Sequence, residues 1–277
     1  MLLFVWIDLI CQAEKVKEEV NSWAEKETKG LIKEVLSPNI QLEPPICLAN
    51  ALYFKAAWKT PFRASNTRDE DFYLLNGETT KVPFMTMRDE PYSFGSFKDF
   101  KLLRLLYQRG QYTEKRCFAM YIFLPHMRDG LKDLVDKFNS DSAALHPKNF
   151  PLKIEELSRV WIPKAKFLYE FEAQELMQAK SLTLPFDKDN ADFSNMVESP
   201  KNIYIGSIIH KAFVEVNEEG TEAAAVTVCL MRCTAAPGML KRPKPSFVAD
   251  HPFMFMIVED FSNLVVFTGA VLNPLLD

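Results

Sequence analysis

The side chains able to do covalent chemistry are few and poorly placed for it. Four histidines, His126, His146, His210 and His251, are spread through the chain without a Gly-x-Ser-x-Gly elbow, so a nucleophile and its general base have no motif to rest on. Metal binding has as little support. There is no His-Glu-x-x-His and no Cys-x-x-Cys, and Cys229 and Cys233 are spaced too loosely for a metal knuckle and have no partner pair. The 9 glycines form no phosphate-cradling loop. Asp69-Glu70-Asp71 reads as a solvated turn, because three adjacent acids point different ways and do not make a catalytic carboxylate pair. The residues therefore argue against an enzyme and call for neither a metal nor a cofactor.

One segment carries chemistry of a different kind, that of the backbone. In Glu218-Glu219-Gly220-Thr221-Glu222-Ala223-Ala224-Ala225-Val226-Thr227 the early acids and the alanines suit a short helix. Read at period two, the same residues place Thr221, Ala223, Ala225 and Thr227 on one face, all small, with Glu222 on the other. A ribbon of that kind can slide between two existing strands without burying a large or charged group. Pattern alone leaves the two readings level. Downstream, Pro237-Gly238 and Lys241-Arg242-Pro243-Lys244-Pro245 withhold ladder donors, so residues 218–246 read as an exposed loop between two strands.

The elements that must carry this loop are legible from periodicity. Val16, Val20, Trp23 and Ala24 fall at helical spacing within residues 12–36, with Pro38 beyond, which predicts an amphipathic helix. Residues 46–58 are apolar without a polar stripe and read as a strand covered on both faces. Residues 72–84 read as a hairpin about Asn76-Gly77. Further strands are expected at 101–107, 117–124, 160–162, 165–169, 203–216, 254–258 and 264–269, and helices at 131–138 and 172–179. Residues 1–7 are apolar but lack a basic start and a small-residue cleavage site, and read as a strand fragment.

Bulk composition narrows the function classes. The 277 residues are 48% hydrophobic and 12% aromatic, ample for a packed core. Lys+Arg 33 against Asp+Glu 37 gives a net charge of −4 with the signs interleaved, which points to neither nucleic acid nor a membrane surface. No apolar run reaches the roughly 18 residues that a spanning helix needs. The odd set Cys11, Cys47, Cys117, Cys229 and Cys233 argues against a disulfide framework and for a reducing compartment. A cytoplasmic address is the expectation.

The loop's flanks resemble the serpin family, and plant serpins most. Residues 208–225, Ile-Ile-His-Lys-Ala-Phe-Val-Glu-Val-Asn-Glu-Glu-Gly-Thr-Glu-Ala-Ala-Ala, resemble the strand leading into the hinge of the serpin reactive-centre loop. Phe247-Val248-Ala249-Asp250-His251-Pro252-Phe253 resembles the strand after it, and Val266-Phe267-Thr268-Gly269 the closing strand. Asn50-Ala51-Leu52-Tyr53-Phe54-Lys55-Ala56-Ala57-Trp58 and Thr67-Arg68-Asp69-Glu70-Asp71-Phe72 match further family segments. The resemblance implies an α+β fold in one serpin-like domain over residues 1–277, with a large mixed main sheet, smaller sheets and helices. It finds no counterpart for the family's earlier N-terminal helices and one main-sheet strand. Such a chain is expected to leave apolar sheet surface uncovered.

The resemblance also implies a mechanism. A serine endopeptidase, with a cysteine endopeptidase as a second class, cleaves the loop and is trapped as the hinge inserts into the main sheet. By resemblance, Glu218, Glu219, Gly220, Thr221, Glu222, Ala223, Ala224 and Ala225 form the hinge. Trp58 marks where the loop enters, and Asn50 with His210 forms a polar latch under the opening sheet. Family spacing puts the reactive bond near Thr234-Ala235, while Arg232, followed by Cys233, is the better attraction for a trypsin-like protease. A non-inhibitory, degenerate relative is the alternative. The family leaves an extracellular address open.

Overall fold

The computed structural model describes residues 2–6, 9–39, 46–109, 116–141, 143–196, 203–221 and 243–276. In chain order its first elements are β1 (Leu2–Trp6), α1 (Leu9–Glu27), β2 (Ile46–Phe54), β3 (Ala56–Ala57), β4 (Arg68–Tyr73) and β5 (Thr79–Met87). There follow β6 (Glu90–Ser96), β7 (Phe100–Leu106), β8 (Phe118–Pro125), α2 (Leu131–Ser140), β9 (Lys153–Leu157), β10 (Arg159–Pro163) and β11 (Ala165–Glu172). The last are α3 (Gln174–Ala179), β12 (Ile205–Val216), β13 (Gly220–Thr221), β14 (Ser246–Val248), β15 (Phe253–Glu259) and β16 (Leu264–Val271). No helix among the described residues is long and apolar enough to cross a membrane.

The chain forms two compact units, residues 1–54 with 167–214, and residues 55–166 with 215–277. In the first, the strands run in the order β1-β2-β12-β11. β1 is antiparallel to β2, and β12 is parallel to β2, with His210 opposite Asn50 and Val214 opposite Phe54. α1 buries Val16, Val20 and Ala24 against Cys47, Ala49, Ala51, Ile209 and Phe213. The alanines keep that face of β2 flat enough for a helix to lie on it. The alternate residues Leu48, Asn50 and Leu52 are half-buried, so β2 alternates instead of being covered equally on both faces as its composition suggested.

The helix expected over 12–36 stops at Glu27. Lys29 at φ 55 and Gly30 at φ 83 turn the chain left-handed, and the Gly30 amide reaches back to Glu25 O at 2.7 Å, closing the helix end. Ile32, Val35 and Leu36 keep helical spacing yet fold back under α1, where the Asn21 side chain accepts from the amides of Val35 (2.8 Å) and Leu36 (2.9 Å).

The second unit holds a six-stranded antiparallel sheet in the order β16-β15-β8-β7-β6-β9, a four-stranded sheet in the order β14-β10-β5-β4, and the short pair β13-β3. α2 lays Leu131 and Leu134 on the six-stranded sheet beside Phe123, Met254 and Met256. The 72–84 hairpin forms, with Gly77 at φ 85 in its turn. Asp69-Glu70-Asp71 is not a turn but part of edge strand β4, where Asp71 meets Lys81 at 2.8 Å. Its neighbour Phe72, fully buried, supplies the apolar anchor that holds an acidic segment in a sheet.

Candidate functional site

The segment singled out from sequence begins where β12 stops. Asn217 makes an Asx turn: its Oδ1 accepts from the amides of Glu219 and Gly220, both at 3.1 Å, and its own N–H donates to Gly220 O at 3.0 Å. The chain reverses, and Gly220 and Thr221 pair antiparallel with Ala57 and Ala56. Gly220 has φ 133, and a Cβ there would meet Ala56 O and fall 2.6 Å from Ala57 Cα and 2.7 Å from Trp58 N. Only glycine allows the two backbones so close.

Trp58 holds this turn from beneath. It is 1% exposed, stacks on Tyr107 at 4.4 Å, and donates from Nε1 to Asn217 O at 2.9 Å. Its amide donates to Glu219 O, and that of Phe62 to Glu218 O, each at 2.8 Å. The Glu218 carboxylate accepts from Thr67 Oγ1 at 2.7 Å and from Lys164 Nζ at 2.9 Å. Burial alone would raise its pKa, but the bonds from Thr67 and Lys164 carry it below the ordinary carboxylate value. The backbone of residues 218–221 is thus bonded, with Glu218 half-buried and Gly220 buried, where an exposed loop was expected from residue 218. At the far end Ser246 opens strand β14.

The first unit contains the other pair singled out from sequence. Asn50 Nδ2 lies 2.9 Å from His210 Nδ1, and the Phe171 ring lies tilted against the His210 ring at 5.3 Å. An amide donor at Nδ1 requires the neutral ring. Burial lowers the His210 pKa in the same sense. This bond crosses the β2–β12 ladder, so it ties the two strands together. Cys47, on the α1 face of β2, is a buried thiol pushed up to about 11 by desolvation, which disfavours the nucleophilic thiolate.

Sequence reasoning named Trp58, Asn50, His210, Glu218, Glu219, Gly220 and Thr221, and each has the place just described. It missed Tyr107, Thr67, Lys164 and Asn217. Of these only Asn217, in Asn-Glu-Glu-Gly, carries a local turn signal. Glu222, Ala223, Ala224 and Ala225, and Arg232, Cys233, Thr234 and Ala235 at the expected reactive bond, lie outside the described residues. Among the described residues no cluster of His, Cys, Asp or Glu is arranged to hold a metal ion.

A family profile described as Serpin (serine protease inhibitor) matches residues 7–274. The chain belongs to the serpin family. Serpin-ZXA of Oryza sativa subsp. japonica is 44% identical over 273 residues, covering 98% of this chain and 66% of that relative. Serpin-ZX of Hordeum vulgare is 42% identical over 272 residues, covering 97% and 67%. The structure of Arabidopsis AtSerpin1, described as its native stressed conformation, superposes with a TM-score of 0.81 at 38% identity, covering 98% of this chain and 68% of that one. The serpin described here thus spans about two thirds of the length of the curated relatives it matches. Its α+β fold is the serpin fold.

Proposed function

We propose that this chain inhibits a serine endopeptidase as a suicide substrate, with residues 218–246 as its bait. The observation that carries the reading is the antiparallel pairing of Gly220 and Thr221 with Ala57 and Ala56, the first step of a strand already laid down at the foot of the loop. Within the first unit β2 and β12 are hydrogen-bonded directly, so further insertion has to part that ladder. Asn50 and His210 are the polar pair that resists it. On cleavage the upstream segment is freed from its downstream anchor, and Thr221, Ala223 and Ala225 turn small side chains inward as it enters. The protease, still acylated on the cut end, is carried with it.

Arg232 directs the bait to a trypsin-like enzyme, since a guanidinium fills an acidic specificity pocket. Incubation with trypsin tests the reading. A covalent adduct that survives boiling in detergent supports it, and quantitative cleavage between residues 222 and 242 with no adduct refutes it in favour of a simple substrate.

A further inference from the structure

The downstream end of the bait is held by a charge clamp that the family resemblance does not assign. β14 is only three residues long, lies at the edge of its sheet, and pairs in parallel with Arg159, Val160 and Trp161 of β10. Short parallel edge strands are weakly held by their ladder alone. Phe247, fully buried and edge-on to Phe94 at 6.5 Å, supplies one apolar anchor. The remainder is polar and gathers just before the strand. Ser158 N–H donates to Pro245 O at 2.9 Å, and Lys101 Nζ to Ser246 O at 3.1 Å. Lys244 Nζ donates to Asp89 Oδ1 at 2.6 Å and to Glu156 Oε1 at 2.7 Å.

The backbone around Lys244 is built for this contact. Pro243 and Pro245 flank it, so its neighbours have fixed φ and the ammonium is presented at reduced entropic cost. Asp89 takes a left-handed φ of 54, and its amide is bonded to Leu157 O at 2.9 Å, which aims its carboxylate from the β5–β6 turn. Glu156 approaches from β9. Both acids raise the Lys244 pKa, Asp89 the more, so the cation persists at neutral pH.

We infer that Lys244, gripped by Asp89 and Glu156, is the positioning residue for the downstream end of the bait loop, keeping β14 in its sheet while the upstream end is drawn away. The inference rests on the reading of the intervening residues as bait. Tension from an inserting hinge would otherwise reach β14 first, because a three-residue edge ladder opens one bond at a time. With the clamp set, the uncut loop stays anchored at β14, and the hinge is released only when the protease cuts the loop.

The test is hydrogen exchange on the full chain. The reporter is the Ala249 amide, which donates to Trp161 O at 2.9 Å beyond the end of β14, together with the amides of 246–248. The Gly220 amide is the internal reference. Lys244→Met and the double variant Asp89→Asn/Glu156→Gln should each raise exchange there about fivefold. Lys244→Arg should restore protection, and about 0.5 M NaCl should bring the native chain toward the variants. Gly220 should not change in any of them. Unchanged exchange at 246–249 in both Lys244→Met and the double variant overturns the inference. Exchange decides the clamp whether or not the native chain traps a protease, so a failure of the inhibitory reading is seen separately, as missing adduct. Where adduct does form, Lys244→Met should increase the share of loop lost without it.

Discussion

Replacing Gly220 by alanine tests the proposed hinge most directly. The added methyl group would overlap Ala56 O and lie 2.6 Å from Ala57 Cα and 2.7 Å from Trp58 N, where carbon contacts need roughly 3.5 Å. All three obstacles are backbone, so the strand pair must separate by about 1 Å or more, beyond what its hydrogen bonds tolerate. The φ of 133 adds about 1–3 kcal/mol for a side chain in that region. Separation also strips Trp58 Nε1 of its acceptor, the Asn217 carbonyl. An unsatisfied buried donor costs about 1–3 kcal/mol. Together these come to about 2–6 kcal/mol, and at about 2–4 °C per kcal/mol for a chain of this size the melting temperature should fall by at least about 4 °C. Calorimetry and the yield of detergent-stable adduct with trypsin would be measured side by side, with Trp58 fluorescence reporting the turn. A Gly220→Ala protein that melts within 1 °C of the native chain and forms as much adduct would refute the close-approach reasoning.

Other expectations follow from the same contacts. His210 is neutral in the folded chain with a lowered pKa, so its stabilising share is present above the unfolded value of about 6.5 and is lost as pH falls through the lower folded value. As the pH is taken below about 6.5, melting temperature should drop more steeply in the native protein than in His210→Gln, and equal slopes would remove His210 from the account. Glu218→Gln keeps the shape but weakens the bonds from Thr67 and Lys164, and should cost about 1–2 kcal/mol in urea unfolding at pH 7. Because the folded Glu218 pKa is lowered, that difference should shrink as the pH is taken below about 4.5. Arg232→Ala should slow loop cleavage by trypsin by at least about tenfold, read by mass spectrometry of the released ends; cleavage at the native rate would move the bait position elsewhere.

Long-range partnership is what the sequence conceals. The strands with strong alternation or continuous apolar runs, such as 118–125 and 253–259, were legible because both their edges are paired and both faces are covered. β6 and β9 were not. Pro91 and Gly95 interrupt β6, and β9 is a charged edge strand, Lys153-Ile154-Glu155-Glu156-Leu157, whose outer side needs no apolar residue. The helix expected to reach residue 36 failed at Thr28, whose hydroxyl bonds Ala24 O at 2.7 Å and accepts from the Ile32 amide at 2.9 Å. Helical spacing survived beyond it because a folded-back segment buries the same kind of stripe.

The expected hinge was read from a run of small residues, of which Gly220 and Thr221 are among the described residues. The grip of Lys164 and Thr67 on Glu218 was not legible, nor was that of Asp89 and Glu156 on Lys244. Each joins residues tens to more than a hundred positions apart, and nothing in one segment announces the charge that will meet it.

The parallel register of β2 and β12 has one more consequence. Two ribbons running the same way share a single, slightly weaker kind of ladder, whereas a counter-running third between them would make two of the stronger kind. The arrangement in which they touch is therefore the one with fewer backbone bonds. Under the proposed insertion, the lifetime of the uncut form is set by how slowly the seam opens, so substitutions along that seam should be judged by rates of change as much as by melting points.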